Sequence, residues 1–211
     1  MNVVRITKPF GSLQVKVTRA QRAPLAWRLS NYLRWNYLRS WLGVHVAVPF
    51  ARMLGIMTAY ATLTARVRRA SGEWIDYGVL SYRVITDAGV GFIVDAFQNL
   101  VELENMKYHG VGTGSTAEAA GQTALVTEST TALNPDSTRG TGTTTESAAN
   151  AYQTVGTVTF DATAAITEHG LFSQSATGGG TMYDRSLFSA INVASGDSIQ
   201  FTYTCTFTSG G

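Results

Sequence analysis

The segment 198–208 has the clearest alternation of apolar and polar positions in the chain. The apolar residues Ile199, Phe201, Tyr203, Cys205 and Phe207 alternate with glutamine and threonine. A period of two residues is typical of a β-strand with one buried face. Such a strand needs neighbouring strands and a second layer over its apolar face. The pattern therefore predicts a β-sheet protein in which Cys205 is a small core residue.

The preceding residues predict the other strands of this sheet. Alternation begins at Thr58, and Ser71-Gly72 is a turn signal, so the two segments that flank it are expected to form a β-hairpin. Residues 115–136 are predicted to form a polar loop. Short strands separated by glycine-containing turns are typical of a β-sandwich or jelly roll. We therefore expect a mainly β, jelly-roll-like β-sandwich, with strands at 58–68, 74–85, 107–113, 139–147, 152–161, 165–173, 181–188 and 198–208.

One short helix is predicted to pack on the sheet. Thr86 or Asp87 is a suitable N-cap residue at its start. Apolar residues then recur at helical spacing, and we expect the face that they form to lie across the sheet: Val90, Ile93, Val94, Phe97 and Val101.

Residues 1–57 are predicted to form an extended, partly helical arm, and residues 58–211 the β-sandwich domain. The arm contains a predicted edge strand at 12–18. Pro24 is expected to begin a helix that continues to Leu42, because proline is tolerated at the first helical position. Gly43–Tyr60 is predicted to be irregular, since Pro49 and Gly55 interrupt it. The helix has apolar residues on more than one side, as a core helix or a partner-binding helix would have.

The charge of the chain is unevenly distributed. Residues 1–70 contain 12 basic residues and no acidic residue, whereas the remainder contains 4 basic and 14 acidic residues. This asymmetry indicates an acidic partner for the leading segment. Trp, Tyr and Arg are typical of protein–protein hot spots and also of nucleic-acid binding. The arginines are spaced rather than clustered, which favours a protein partner, and the predicted partner-binding residues are Trp27, Arg28, Tyr32, Arg34, Trp35, Arg39, Trp41 and Arg52.

The chain contains few residues in patterns that indicate catalysis. Glu168 and His169 are adjacent in a predicted strand, so their side chains should point to opposite faces. His109 and His169 could meet, but two histidines alone do not form a metal site. Asp184 and Arg185 are expected to form cross-strand pairs. We predict no enzymatic activity, no cofactor and no metal site.

A membrane span is not predicted for the apolar stretch Trp41–Leu63. It contains His45, Pro49 and Gly55, and Arg52 lies near its centre. A central arginine costs about 2.5–3.5 kcal/mol on insertion scales, so we expect this stretch to contact protein and not a membrane.

About two-thirds of the chain, from Asp76 onward, resembles a family of structural proteins of tailed bacteriophages. The resemblance is carried by DYGVLSYRVITDAGVGFIVDAFQN, by KYHGVGTGSTAEAAGQTALVTE and by ITEHGLFSQSATGGGTMYDRSLFSAINVASGDSIQFTYTCTFTSGG. It implies a virion protein with a β-sandwich fold, in the head or in the tail. Residues 1–57 lie outside the resemblance.

These observations lead to the expectation of a capsid decoration or cement protein in the virion, assembled in the host cytoplasm. Its expected partners are the major capsid protein, other virion subunits and neighbouring copies of itself in a homo-oligomer. Two alternatives remain open at this point. One is a tail, neck or baseplate component, and the other is a host-glycan binding module that would use Tyr183 or Tyr152 as an exposed aromatic residue.

Overall fold

The computed structural model describes residues 2–8, 11–17, 20–82 and 84–210, with side chains from residue 20 onward except at Val84. Over these residues the fold is mainly β, as predicted. The strands are β1 Asn2–Lys8, β2 Gly11–Val17, β3 Gln21–Arg22, β4 Thr58–Arg68, β5 Trp74–Tyr82, β6 Val84–Ile85, β7 Tyr108–Gly112, β8 Gly140–Ala148, β9 Ala151–Thr159, β10 Ala164–Phe172, β11 Met182–Val193 and β12 Ser198–Thr208. The α-helices are α1 Leu25–Tyr32, α2 Trp35–Leu42, α3 Val48–Met53 and α4 Asp87–Phe97.

Strand β12 lies inside a ten-stranded sheet with the order β3-β5-β4-β12-β9-β8-β7-β10-β11-β6. It pairs antiparallel with β4 along its whole length and with β9 on its other side. The predicted β4–β5 hairpin is confirmed. β3 pairs parallel with β5. β1 and β2 form a separate antiparallel pair, which confirms the strand predicted near residue 12.

The large sheet folds over, so that strands far apart in its order face each other. β10 is four positions from β12 in the strand order, which would place them roughly 19 Å apart in a flat sheet. The rings of His169 on β10 and Phe201 on β12 are nevertheless 4.5 Å apart. The Tyr183 hydroxyl on β11 is 3.6 Å from Cys205 Sγ on β12. The main apolar core therefore lies between the two halves of one continuous sheet.

The alternation that predicted β12 is confirmed by its burial. Ile199, Phe201, Tyr203 and Cys205 are buried in the core, and Phe207 is half-buried beside it. Burial of a side chain such as Ile199 or Phe201 contributes about 1.5–3 kcal/mol. The prediction that Cys205 is a small core residue is also confirmed.

Helix α4 begins as predicted but presents a different face to the sheet. The backbone N–H of Gly89 donates to the Thr86 hydroxyl at 2.9 Å, which confirms the N-cap. The predicted inner face is wrong in part, because Val90, Val94 and Phe97 are exposed, whereas Ile93 and Val101 contact the core. A Cβ at Gly89 would lie 2.2 Å from the backbone oxygen of Tyr183. The helix therefore approaches β11 at Gly89, and this contact turns Phe92 inward.

The single helix predicted from Pro24 to Leu42 is wrong in its continuity. The structure has two helices, α1 and α2, because Arg34 between them is extended, with φ −65° and ψ 136°. Pro24 precedes the first helical residue and takes the N-cap position. Because the chain bends at Arg34, both helices pack against β5. Trp27 of α1 contacts Tyr77, and Tyr37 of α2 contacts Tyr82.

The irregular structure predicted after Gly43 is wrong up to Met53. A π-helical turn over Gly43–Ala47 connects α2 to α3. Proline lacks an N–H and its ring clashes with the carbonyl four residues earlier in a regular helix. The wider turn, in which the N–H of Val48 donates to the Gly43 carbonyl, accommodates Pro49. Gly55, with φ +74°, then follows the end of α3.

The apolar stretch that begins at Trp41 is divided between α2, the π-helical turn, α3 and β4. Among the residues described, no helix combines the length and apolar character needed to cross a membrane.

Candidate functional site

Helix α1 covers the free edge of strand β11. One edge of β11 pairs with β10, whereas on the other edge only Asp184 and Arg185 pair with β6 among the described residues. Side chains satisfy the backbone further along this edge. The N–H of Ser189 donates to Asn31 Oδ1 at 2.9 Å, and Trp27 Nε1 donates to the carbonyls of Ser189 and Ala190 at 3.1 and 2.9 Å. α1 therefore occupies an edge that could otherwise pair with another chain.

Asn31 joins two strands that lie near opposite ends of the sheet order. Its Nδ2 donates to the Leu80 carbonyl on β5 at 2.9 Å, while its Oδ1 accepts from Ser189 on β11. The side chain is fully buried. Trp27 packs beside it, edge-on to Tyr77, at 4.7 Å between ring centroids. We refer to this junction of β5, β11, Trp27 and Asn31 as the seam.

The opposite side of α1 is apolar and faces solvent. Leu25, Leu29 and Leu33 recur every four residues, and Trp35 follows at the corner between α1 and α2. These four side chains, named here the outer ridge, are between 51% and 72% exposed. The exposed apolar surface continues along α2 and α3, so that most of the large exposed apolar side chains described lie in 25–57. The members beyond the outer ridge are Leu38, Trp41, Leu42, Val46, Phe50, Met53, Leu54, Ile56 and Met57.

In the part of the chain that the structure describes, the arginines of the same helices form no ion pair with an acidic residue. Arg39 and Arg52 are exposed, and Arg28 and Arg34 are half-buried. The guanidinium of Arg28 lies 6.0 Å from the centre of the Tyr32 ring. Ion pairs in the described part of the chain use none of these four arginines; they are Arg69–Asp197, Arg139–Glu128 and Arg185–Glu168. The leading helices therefore present positive charge beside exposed apolar side chains.

The structure divides the eight predicted partner-binding residues into three groups. Trp27 contacts its own body, Tyr32 packs against Tyr37 at 5.0 Å, and Trp41 is stacked on His45 at 4.6 Å. Trp35, Arg39 and Arg52 face solvent, and Arg28 and Arg34 lie partly exposed between these groups. Partner binding by these residues stays a prediction, and Trp27 already has a structural role.

A second surface feature is an apolar groove between α4 and the ends of β8, β9 and β12. Its volume is about 880 Å³. Buried Phe92, Tyr183 and Cys205 line its floor, and exposed Phe97 and Leu103 line its rim. Two charged residues in the described part of the chain line it, and both are acidic: Glu104 and Glu146. The groove is thus apolar at its base and negatively charged where it opens.

The titratable groups on the groove floor stay neutral near pH 7. Burial raises the pKa of the Cys205 thiol and of the Tyr183 hydroxyl above their ordinary values. Burial likewise raises the pKa of Tyr152 to about 12. The floor therefore carries no charge that an ionic ligand could pair with.

The two tyrosines proposed for glycan binding do not stand exposed on loops. Tyr183 is buried on β11, and Tyr152 is half-buried on β9. The Tyr152 hydroxyl donates to the Met106 carbonyl at 2.6 Å. The expectation of exposed aromatic residues is wrong for both, because each ring faces inward from a strand toward the core.

A buried polar network surrounds Glu168. Its carboxylate accepts from the backbone N–H groups of Gly114, Val126 and Thr127 at 3.0, 3.1 and 2.8 Å. Arg185 donates to it through Nε at 2.8 Å, which confirms the predicted cross-strand pairing of Arg185. A Cβ at Gly114 would lie 2.5 Å from Glu168 Oε1, so a glycine is required there. The network fixes the 115–136 loop to the sheet.

His109 and His169 form a second buried pair. Nδ1 of His109 lies 2.9 Å from Nε2 of His169, and both side chains are fully buried. The prediction that Glu168 and His169 point to opposite faces is confirmed, since Glu168 binds the loop and His169 contacts Phe201 in the core. Within the described residues, no three or more His, Cys, Asp and Glu side chains are grouped to hold a metal ion. The two rings therefore form part of the packing between the two halves of the sheet.

Two structurally important residues had no predicted role. Asn31 is the second-last residue of α1, so its place in the helix gave no local signal of its role. Glu118 lies in the 115–136 loop and accepts from the backbone N–H of Leu187 at 2.6 Å and from Asn36 Nδ2. It therefore connects the loop to both β11 and α2.

Comparisons of the chain with protein-family models, with curated proteins and with solved structures found no match. The fold and the surface define a mainly β protein that presents an exposed, apolar and cationic helical segment.

Proposed function

We propose that this chain is a structural protein of a tailed-bacteriophage particle, and that it acts as a capsid decoration or cement protein. In this proposal the folded-over sheet is a β-sandwich that sits on the shell. The leading helices lie over neighbouring subunits, and their arginines pair with acidic residues of the major capsid protein.

The observation that carries the proposal is the outward side of α2 and α3. A monomeric protein rarely exposes a large contiguous apolar surface, and such surfaces commonly mark interaction sites. Here the apolar side chains are interspersed with arginines that lack acidic partners in the described chain, which suits a protein interface with an acidic partner. The buried clusters of polar side chains around Glu168 and His169 make their contacts with other residues of the same chain.

The seam supports the same role. A segment that anchors a protein to a partner must itself be attached firmly to the rest of that protein. Trp27 and Asn31 attach α1 to both β5 and β11, so a partner bound to α2 and α3, which follow α1, would be connected to both ends of the sheet.

Reconstitution on shells tests the proposal. Shells stripped of the protein are incubated with the wild-type chain, with an R39Q/R52Q variant or with an R22Q/R68Q variant as a matched control. All four arginines are exposed, so the two variants lose the same charge at different places. We expect wild-type chain and control to raise the temperature of shell disruption, and R39Q/R52Q to bind about fivefold more weakly.

Stripped shells that resist heat as well as complete shells would contradict the cement role. The number of copies per particle distinguishes the shell position from a tail, neck or baseplate position. A shell protein should match the number of shell subunits or of their symmetry centres, whereas a tail component should be present in the much smaller number set by tail symmetry.

A further inference from the structure

The chain carries two complementary surfaces at different places. The outer ridge of Leu25, Leu29, Leu33 and Trp35 is exposed and apolar, and Arg28 and Arg34 are adjacent to its members in sequence. The groove beside α4 is concave and apolar, and the charged residues that line it, among those described, are Glu104 and Glu146. The two surfaces share no residue.

We propose that the outer ridge of one copy binds the groove of the next copy, so that the chain assembles head-to-tail. Amphipathic helices commonly bind apolar grooves through residues that recur every three or four positions along one helix face. Leu25, Leu29 and Leu33 have this spacing on a helix whose other side is fixed to the body by Asn31 and Trp27. The ridge is thus ordered before binding, which lowers the entropic cost of association.

Charge complementarity selects a second copy as the occupant of the groove. A ligand with a carboxylate or phosphate would meet Glu104 and Glu146 and a floor without positive charge. The leading segment has the opposite character, because residues 1–70 contain 12 basic and no acidic residues. Insertion of the ridge would bring Arg28 and Arg34 toward an acidic rim.

The geometry also determines the kind of assembly. Two different surfaces form a heterologous contact, which generates a closed ring if the rotation between copies closes and an open filament if it does not. A two-fold dimer, in which each surface binds its own equivalent, is not expected. This inference deepens the proposed structural role and rests on it for the setting in a particle.

The test uses the purified full-length chain and two variants with changes only at exposed positions. L29E/L33E places acidic residues on the ridge, and F97E/L103E places them on the groove rim. V90E/V126E is the matched control, because both valines are exposed, apolar and outside the two surfaces. Circular dichroism and thermal unfolding establish that each variant is folded as the wild type is.

Sedimentation velocity then measures assembly. We expect wild type and V90E/V126E to form species larger than dimers as concentration rises, and L29E/L33E and F97E/L103E each to assemble about a hundredfold more weakly. A mixture of the ridge variant and the groove variant should form a one-to-one dimer and nothing larger. One intact ridge and one intact groove remain in such a mixture, so only one productive contact can form.

Several results would overturn the inference. These are a wild-type chain that stays monomeric, variants that assemble as the wild type does, and a mixture that forms no dimer. A monomeric wild-type chain that releases a small apolar compound on solvent extraction would assign the groove to that compound instead.

The experiments distinguish head-to-tail assembly from the cement role. Head-to-tail dimers from a chain that does not bind shells would leave the inference standing and contradict the cement role, whereas shell stabilisation by a strictly monomeric chain would do the reverse.

Discussion

The side-chain amide of Asn31 makes hydrogen bonds through both its oxygen and its nitrogen, and Asn31 is the one fully buried residue of helix α1. Loss of a buried partner leaves the remaining donor or acceptor without a hydrogen bond, at a cost of about 1–3 kcal/mol. We therefore expect Asn31→Ala to lower the free energy of unfolding by about that amount, measured by urea denaturation. Gln98→Ala, at the exposed C-cap position after α4, is the control and should change it by less than about 0.5 kcal/mol.

Glu168 is the buried acceptor on which the 115–136 loop depends. In Glu168→Gln the amide nitrogen would face backbone N–H groups or the Arg185 guanidinium, which are all donors. Removal of one partner from a buried ion pair typically costs about 3–5 kcal/mol. We expect this loss in urea denaturation, and we expect Glu146→Gln, at an exposed position on β8, to be close to wild type. Equal stability of the two variants would show that the loop does not require the carboxylate.

Local pattern predicted some residue roles and not others. Cys205 in the core and the opposite orientations of Glu168 and His169 follow from the two-residue period of a strand, which needs no knowledge of the neighbours. The role of Asn31 depends on β5 and β11 lying together beside α1, although they are far apart in sequence. No pattern within a single segment contains that information.

At the scale of elements, Asp197 joins the turn between β4 and β5 to the turn between β11 and β12. It accepts from Arg69 at 2.7 Å and from the backbone N–H groups of Ala70 and Ala194 at 2.9 and 3.0 Å. Burial alone would raise the pKa of Asp197, but the hydrogen bonds from Arg69 and the two backbone groups outweigh burial and lower it. The ionised carboxylate is therefore more favourable in the folded state than in the unfolded state.

The lowered pKa predicts a stability contribution that depends on pH. The contribution is present above the unfolded pKa, about 3.9, and is lost as the pH falls through the lower folded value. We expect Asp197→Asn to be less stable than wild type by about 1–2 kcal/mol at pH 7, with the difference shrinking below about pH 4. Urea denaturation across this range measures it, with Asp161→Asn at an exposed position as the control. A difference that stays constant with pH would contradict the role of the charge.

Element type was predicted better than element orientation. Helix α4 was identified from its cap and its apolar spacing, but apolar residues occur on more than one side of it, as Phe92 and Phe97 show. The close contact between Gly89 and the Tyr183 backbone decides which side faces the sheet. Pro49 predicts irregular structure from the sequence, because the π-helical turn that accommodates it has no sequence pattern of its own.

For the whole molecule, the boundary predicted at residue 57 separates parts that contact each other. The seam attaches α1 to β5 and β11, and β3 pairs with β5 before α1 begins. β1 and β2, in contrast, pair with each other in a separate sheet. The leading segment thus contains two parts: β3 and α1 pack against the β body, whereas β1 and β2 pair only with each other. A boundary between anchoring and structural roles could therefore lie before α1 and not at residue 57.

Two deletions distinguish these parts. Removal of residues 1–57 exposes the free edge of β11 and leaves Leu80 and Ser189 without Asn31, a loss of roughly 3 kcal/mol. For a domain of this size we expect the melting temperature to fall by about 6–12 °C. Removal of residues 1–19 leaves α1 and the seam in place, so the melting temperature should stay within about 2 °C of wild type. If the chain without residues 1–57 melted at the wild-type temperature, the whole segment would be an independent arm, and Asn31→Ala should then have no effect on stability either.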